Sequence, residues 1–389
     1  MESRRNSSDS PIKQKSKKSR YSYDPIHTLP PEIIVEILSR LPVKSLLKFR
    51  CVSKSWLSLI SSPQFIKTHL KISTNDPNFT SHRIMFTTSY PRFNLKNCSL
   101  RSLLYEPLTD AVSISYPRKH SRRSVWVVGS CNGLICIAIN EKDLFLWNPS
   151  VRKSKKLPNV DVPMGQGFYI VYGFGFDETN EDYKVVGIFC AFGNAGGYET
   201  MVKIYSLKTN SWRRIEDFKG GVPLDDSGTF VHGKLHWSAS PGVGFSSGWD
   251  IVSLDVEREI YGMVEQPNYG EGGFASLLGV LGGSVCVICD YQKTRADVWV
   301  LKEYGIKESW TKVVTIPYID EPGRYMYSIP LCILQNGEVL LALGSSYVVY
   351  NPKENSFRFP KISNADDFLE ANTYIESLVS PAAVMVDQE

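Results

Sequence analysis

The chain has 389 residues, 42% of them apolar and 22% charged, with a formal net charge of +4. That length leaves room for about two to three domains of roughly 150 residues each. The charge is uneven. The first twenty residues hold a net +5, so the remaining 369 carry about −1. A near-neutral fold excludes a phosphate-tracking nucleic-acid binder, which would keep its cationic excess on the folded part. Aromatics make up 12%, which favours strands over helices.

Eight cysteines in a chain this long do not make a disulfide scaffold. No apolar run opens the chain as a secretory signal does, and none approaches the roughly 18 residues that span a bilayer. The expected location is the nucleus and/or the cytoplasm, with no membrane span.

Residues 1–24 are rich in Ser, Lys and Arg. They bury too little to offset the entropy of ordering and are expected to form a disordered basic tail. Within it, Lys13 to Arg20 is a candidate nuclear-localisation patch, with a solubilising tail as the alternative.

Residues 25–72 read as a small helical module. Pro30 and Pro31 suit a first helical turn, where a missing N–H has no partner to lose. Apolar residues at 33, 34, 37, 38 and 41 then form one wide helical face, and Pro42 ends the helix. A second short helix carries Val43, Leu46 and Leu47. A third follows Ser53, a plausible N-cap, and carries Trp56, Leu59 and Ile60. Three short helices in about forty residues cannot cover their own apolar surface, so a partner surface is expected.

The run from Leu29 to Leu70, LPPEIIVEILSRLPVKSLLKFRCVSKSWLSLISSPQFIKTHL, resembles an F-box. It carries that family's opening Leu-Pro, its Leu-Pro-x-K-S-L-L centre, its V-S-K-x-W and its closing S-x-x-F-I-x-x-H. The resemblance implies a Skp-family adaptor as partner and, through it, cullin and RING subunits. It also implies that Leu29, Pro30, Ile34, Ile37, Leu38, Leu41, Pro42, Leu46, Leu47, Val52 and Trp56 either face the adaptor or hold the helices together.

From about residue 80 to 380 the chain becomes short strands broken by Gly, Asn, Asp and Pro. A unit of strand, polar turn and strand recurs with anchors at Tyr105, Trp147, Tyr205, Leu254, Val300 and Tyr350, in steps of 42 to 58 residues. A period near 50 with four strands per unit predicts a kelch-like β-propeller, and the available length suits six blades. Residues 381–389 are read as a C-terminal tail. The pieces Gly129 to Leu134, Tyr172 to Asp177, Tyr183 to Val186, Gly233 to Trp237 and Tyr374 to Val379 resemble the F-box-associated domain of a large plant family.

In a four-stranded meander, the first–second and third–fourth turns open on one face. The second–third turns and the links to the next unit open on the other. The first–second turns are tight here and the third–fourth turns mostly short. The longer connections, 161–169, 190–199, 219–228, 239–249, 267–274 and 318–327, all belong to the second set. That face is expected to bind an unknown protein substrate through Tyr169, Tyr198, Phe245, Trp249, Tyr269, Tyr318, Arg324 and Tyr325, residue types common at interface hot spots. The alternative is that several of them tuck inward to pin their loops.

The chemistry of catalysis is not legible. Cys286 and Cys289 lie in an apolar strand, where i and i+3 point to opposite faces. His232 and His236 flank a turn rather than lying on a helix, and the segment Gly129 to Gly133 holds Cys131 where a nucleophile elbow needs Ser. No cofactor or metal site is expected. The reading is a non-enzymatic substrate receptor of an SCF-type ubiquitin ligase. The alternatives are an adaptor that sequesters its partner, or a propeller enzyme or sugar-binding protein with a vestigial F-box.

Overall fold

The computed structural model describes residues 29–88, 92–120, 122–162, 167–193, 197–225, 227–241, 248–270, 275–291, 294–319, 327–364 and 368–382. The predicted basic tail at 1–24, with Lys13 to Arg20, and residues 383–389 of the predicted C-terminal tail lie outside the described residues.

Four helices come first: α1 (Pro31–Ser39), α2 (Val43–Phe49), α3 (Lys54–Ser61) and α4 (Pro63–Thr74). Pro31 takes the first position of α1. Glu36 and Arg40 pair one turn apart on its wet side. The Ser53 hydroxyl caps α3 by accepting the Trp56 N–H at 3.1 Å. The sequence predicts three helices, and α4 corrects that number. Ser62 accepts the Phe65 N–H at 3.2 Å and Pro63 follows at the first helical position, so the chain restarts a helix where the three-helix reading ends. Such a cap contributes about 1 kcal/mol.

A propeller of short strands follows. Its first part holds β1 (His82–Thr88), β2 (Asn94–Ser99), α5 (Leu100–Tyr105), β3 (Thr109–Asp110) and β4 (Val112–Ser113). Next are β5 (Val125–Cys131), β6 (Leu134–Ile139), β7 (Asp143–Asn148) and β8 (Lys153–Lys156). Then come β9 (Tyr169–Asp177), β10 (Asp182–Phe192), β11 (Tyr198–Ser206), β12 (Ser211–Arg214) and the two-residue β13 (Val222–Pro223). They are followed by β14 (Ser227–Val231), β15 (Lys234–Ser240), β16 (Asp250–Asp255) and β17 (Tyr261–Val264). The remainder is β18 (Ala275–Leu281), β19 (Ser284–Asp290), β20 (Arg295–Leu301), β21 (Trp310–Pro317), β22 (Cys332–Ile333), β23 (Val339–Leu343), β24 (Ser346–Asn351), β25 (Ser356–Arg358), β26 (Ile362–Ser363) and β27 (Phe368–Ile375).

Among the described residues, β5–β8, β18–β21 and β22–β25 each form a four-stranded sheet in chain order. A fourth such sheet runs β27-β1-β2-β4, so the last strand closes on the first. The meanders β9–β12 and β14–β17 are joined by parallel pairing of β9 with β14 into one nine-stranded sheet that includes β13. β26 pairs with β3. Glycine permits the β9–β14 approach. A Cβ at Gly228 would lie 2.4 Å from the buried Trp237 indole, and one at Gly173 would lie 2.8 Å from it.

The repeat has a physical basis in its turns. Asn132-Gly133, His232-Gly233 and Gly282-Gly283 take positive φ at both positions, as a two-residue hairpin turn requires. At the third–fourth turns, the side chains of Asn148, Asp255 and Asn351 accept the N–H two residues on, at 2.8, 3.1 and 3.0 Å. Four residues after each, Arg152, Glu259 and Asn355 take positive φ. The recurring anchor-then-Asx pattern is therefore a turn signal as much as a strand signal. It misleads once. The expected repeat at Leu104 to Pro107 begins inside a helix that ends at Tyr105, because Ser99 caps α5 and Leu100, Leu103 and Leu104 bury one helical face.

Apolar cores fill the gaps between neighbouring sheets. Within β19, Cys286 packs into one such core and Cys289 into the next, so the pair faces opposite sides of its sheet.

Candidate functional site

The helices have a small core of Leu38, Val43, Leu46, Ile60 and Phe65, completed by Leu378 from the far end of the chain. Val151, in the β7–β8 turn, packs against the same cluster. Lys67 of α4 pairs with Glu181 in the β9–β10 turn and holds its carboxyl below the usual range. These contacts lie on the face of the first–second and third–fourth turns. The helical module therefore sits opposite the longer connections.

The seat is fixed by polar contacts as well. Asn148 is fully buried, and its Nδ2 donates to Ser377 O at 3.0 Å, Ser377 Oγ at 3.1 Å and Val379 O at 2.8 Å. A Cβ at Gly133 would overlap Ser377 Oγ at 2.2 Å, so only glycine admits the segment here. One C-terminal segment thus closes the propeller through β27 and supports the helices through Leu378. This role of Leu378 was not foreseen, since no local pattern marks it.

The residues assigned to adaptor binding or to the module's core divide cleanly. Leu38 and Leu46 are buried core, and Ile34, Leu41, Leu47 and Trp56 are half-buried against them. Trp56 meets Phe49 edge-on at 5.5 Å. Leu29, Pro30, Ile37, Pro42 and Val52 remain exposed. Two further large apolar side chains, Ile33 and Leu57, are exposed beside them, and the helical spacing of Ile33 with Ile37 marks the first in the sequence. Leu29, Ile33, Ile37, Val52 and Leu57 are 45 to 62% exposed, an unusual share for large apolar groups in one small module.

The opposite face is built differently. Tyr169 and Tyr198 meet edge-on at 5.5 Å, and the exposed Phe192 completes the cluster. Burial holds the Tyr169 hydroxyl above its ordinary range. Trp249 and Tyr269 pack partly into the core around β18 and β19. Tyr318 donates to Asp290 and lies 4.8 Å from Tyr327. Burial, helped by the Asp290 carboxylate, raises its pKa. Tyr169, Tyr198, Trp249, Tyr269 and Tyr318 are each half-buried and packed against their neighbours. Phe245, Arg324 and Tyr325 lie outside the described residues. The connection 114–124 also opens on this face, between β4 and β5. The sequence reading passed over it, although Arg118, Lys119, His120, Arg122 and Arg123 make it strongly basic.

Two charged or titratable groups of the interior, Lys184 and His236, have structural partners. Lys184 contacts Asp177 at 2.9 Å and donates to Val256 O at 2.6 Å, tying β10 to the β16–β17 turn. Burial raises the Asp177 carboxyl, but hydrogen bonds from Asn180 and Lys184 outweigh it and leave the pKa below the usual range. His236 is fully buried, with Nε2 at 2.8 Å from Tyr304 Oη and Nδ1 at 3.2 Å from Thr229 O, and burial lowers its pKa to about 4.

Family models place this geometry. Residues 26–68 match the F-box domain, and residues 77–383 match the F-box associated beta propeller domain. An F-box/kelch-repeat protein of Arabidopsis thaliana is 36% identical over 364 residues, covering 91% of this chain and 96% of its own. The F-box protein CPR1 of the same plant is 30% identical, covering 90% and 89%. Among solved structures, an oligogalacturonate lyase from Vibrio parahaemolyticus is similar at 12% identity and a TM-score of 0.40, covering 71% of this chain and 73% of its own, too slight a likeness to bear on function. The exposed apolar helices, the propeller beneath them and these matches together show that the chain belongs to the plant F-box proteins with an F-box associated β-propeller domain.

Proposed function

We propose that this protein is the substrate receptor of an SCF-type ubiquitin ligase and is not itself an enzyme. The F-box, residues 25–72, docks a Skp-family adaptor through Leu29, Pro30, Ile33, Ile37, Val52 and Leu57. The propeller, residues 80–380, holds the protein to be ubiquitinated. What carries the reading is a single observation: the helices are held on the propeller by one side and keep five large apolar side chains exposed on the rest. Exposed apolar groups on paired helices fit helix-on-helix docking.

The propeller is read as six-bladed. In support, the nine-stranded sheet divides at its β9–β14 junction into two four-stranded meanders, which stand beside four separate four-stranded sheets. The substrate face is the one opposite the F-box, which presents Tyr169, Tyr198, Trp249, Tyr269 and Tyr318 of the predicted set, joined by Phe192; the set's Phe245, Arg324 and Tyr325 are outside the described residues. With the adaptor on one side and the substrate on the other, the ligase acts by raising the target's effective concentration near the ubiquitin-conjugating enzyme. We place this activity in the nucleus and/or cytoplasm.

Co-immunoprecipitation tests the reading. Intact protein should bring down Skp-type adaptor and cullin, and the variant Leu29→Ala, Ile33→Ala, Ile37→Ala should bring down neither while its propeller partners stay bound. Partner levels that rise under proteasome inhibition separate degradation from sequestration. Retained adaptor binding in the folded variant would sink the F-box assignment.

A further inference from the structure

Six connections link one four-stranded unit to the next on the face opposite the F-box, and one of them is unlike the rest. The segment 114–124 holds Arg118, Lys119, Arg122 and Arg123 with no acidic residue, and His120 besides. Each of the other five, at 157–168, 215–226, 265–274, 318–331 and 359–367, is net negative. Arg92, in the β1–β2 turn, opens on the same face as the basic segment. The excess is therefore concentrated in one sector of a fold whose total charge is near zero.

The connection is shaped to present these groups. The Lys119 N–H donates to Tyr116 O at 3.3 Å, and the Arg123 N–H donates to His120 O at 3.1 Å, giving two successive turns. His120 Nδ1 accepts the Arg122 N–H at 3.2 Å, which keeps that side of the imidazole occupied within the loop. Arg118 stands 3.7 Å from Asp143 and over the Phe145 ring, and Lys119 lies over Tyr116. Those contacts anchor the base of the loop. Arg118, Lys119, His120, Arg122 and Arg123 are all exposed, and among the described residues neither Arg122 nor Arg123 has an acidic partner.

We propose that this loop, with Arg92, captures an anionic segment of the protein substrate, either a run of Asp and Glu or a phosphorylated stretch. The inference rests on the substrate-receptor reading above and names the chemistry of its ligand. Guanidinium groups pair with carboxylate and phosphate in the same forked geometry, so both anions suit the site. The negative connections around it repel the same segment, which confines docking to this sector. A nucleic acid fits less well. Neutralising a duplex engages a track of about six to ten phosphates, whereas the cations here stand in one connection and one neighbouring turn.

Fluorescence anisotropy with the full-length chain tests this. The probes are a labelled peptide of alternating Glu and Ser, its phosphoserine counterpart, and a single-stranded oligothymidylate of similar charge. At low salt the chain should bind at least one of the peptides, and the pair shows which anion is preferred. Binding should weaken as salt rises. The variant Arg122→Glu, Arg123→Glu should bind about tenfold or more weakly, since a charge-assisted hydrogen bond is worth enough for roughly that factor. The variant Lys153→Glu, Lys302→Glu makes the same charge change at third–fourth turns on the F-box side and should bind as the parent does. The inference is overturned by failure to bind either peptide, by equal loss in both variants, or by tighter binding of oligothymidylate with the same dependence on Arg122 and Arg123. Adaptor pull-down run on the same preparations keeps a failed ligand class distinct from a failed receptor assignment.

Discussion

The F-box and the propeller solve opposite problems with the same kinds of residue. The propeller hides its apolar side chains between sheets, and Trp237, Tyr172 and Tyr205 are fully buried there. The F-box buries only a few, borrows Leu378 from the propeller to complete its core, and leaves Leu29, Ile33, Ile37, Val52 and Leu57 in water. A module of this size has too little interior to cover both of its sides. One side is settled by the propeller and the other is left for a partner.

That contrast can be broken at its strongest point first. Trp237→Ala removes the indole that fills the junction of β9, β14 and β15 and should cost about 3–5 kcal/mol, read as a large fall in denaturation midpoint. A loss below about 1 kcal/mol would mean that the junction is not packed as described. Next is acidity. His236 has a pKa of about 4 in the fold, against about 6.5 when unfolded. Between those values the unfolded chain binds the proton more readily. The stability that neutral His236 contributes is therefore complete above about pH 6.5 and falls as pH drops towards 4, by about 2 kcal/mol at pH 5. Urea melts at pH 7 and pH 5 should show this slope, and His236→Gln should flatten it.

Asn148→Ala tests the link between the two regions. It strips the partner from two backbone carbonyls of the C-terminal segment and should cost about 1–3 kcal/mol. Hydrogen exchange should quicken around Leu378 and in the F-box helices, and stay unchanged in β18–β25. Equal quickening everywhere would mean that Asn148 serves the ring alone. The smallest effect belongs to the exposed face. Ile33→Ser with Leu57→Ser should move stability by no more than about 0.5 kcal/mol per site, because neither side chain is in the core.

The sequence exposed most clearly what is local. Ser53 as a cap, the Glu36–Arg40 pair and the tight hairpin turns at Gly233 and Gly282 are decided by neighbours a few residues apart, and each stands where its chemistry requires. The repeat was legible for the same reason, since Asn148, Asp255 and Asn351 fold their own turns. Errors came where a local pattern has two readings. Leu104-Tyr105 suits a strand anchor until Leu100 and Leu103 are counted with it as a helical face. Ser62-Pro63 has cap-then-proline chemistry and starts a fourth helix that the three-helix reading leaves out. Non-local facts were not legible at all. Nothing near Leu378 announces that it completes a core more than 300 residues upstream. The inward packing of Tyr169, Tyr269 and Tyr318 depends on partners on other strands. The basic sector at 114–124 shows in the sequence only loop by loop, because the acidic connections elsewhere cancel it in the sum over the fold.

On the proposed reading, the exposed apolar side chains of the F-box are a docking surface and not a fragment of core. Titration calorimetry of the purified chain with a Skp-family adaptor tests it most directly. Binding should be saturable and should weaken about a hundredfold or more in the variant Ile33→Ser, Ile37→Ser, Leu57→Ser, since truncated apolar anchors at an interface centre cost several kcal/mol in sum, while the melting temperature stays close to that of the parent. Unchanged affinity in that variant, with its fold intact, would contradict it.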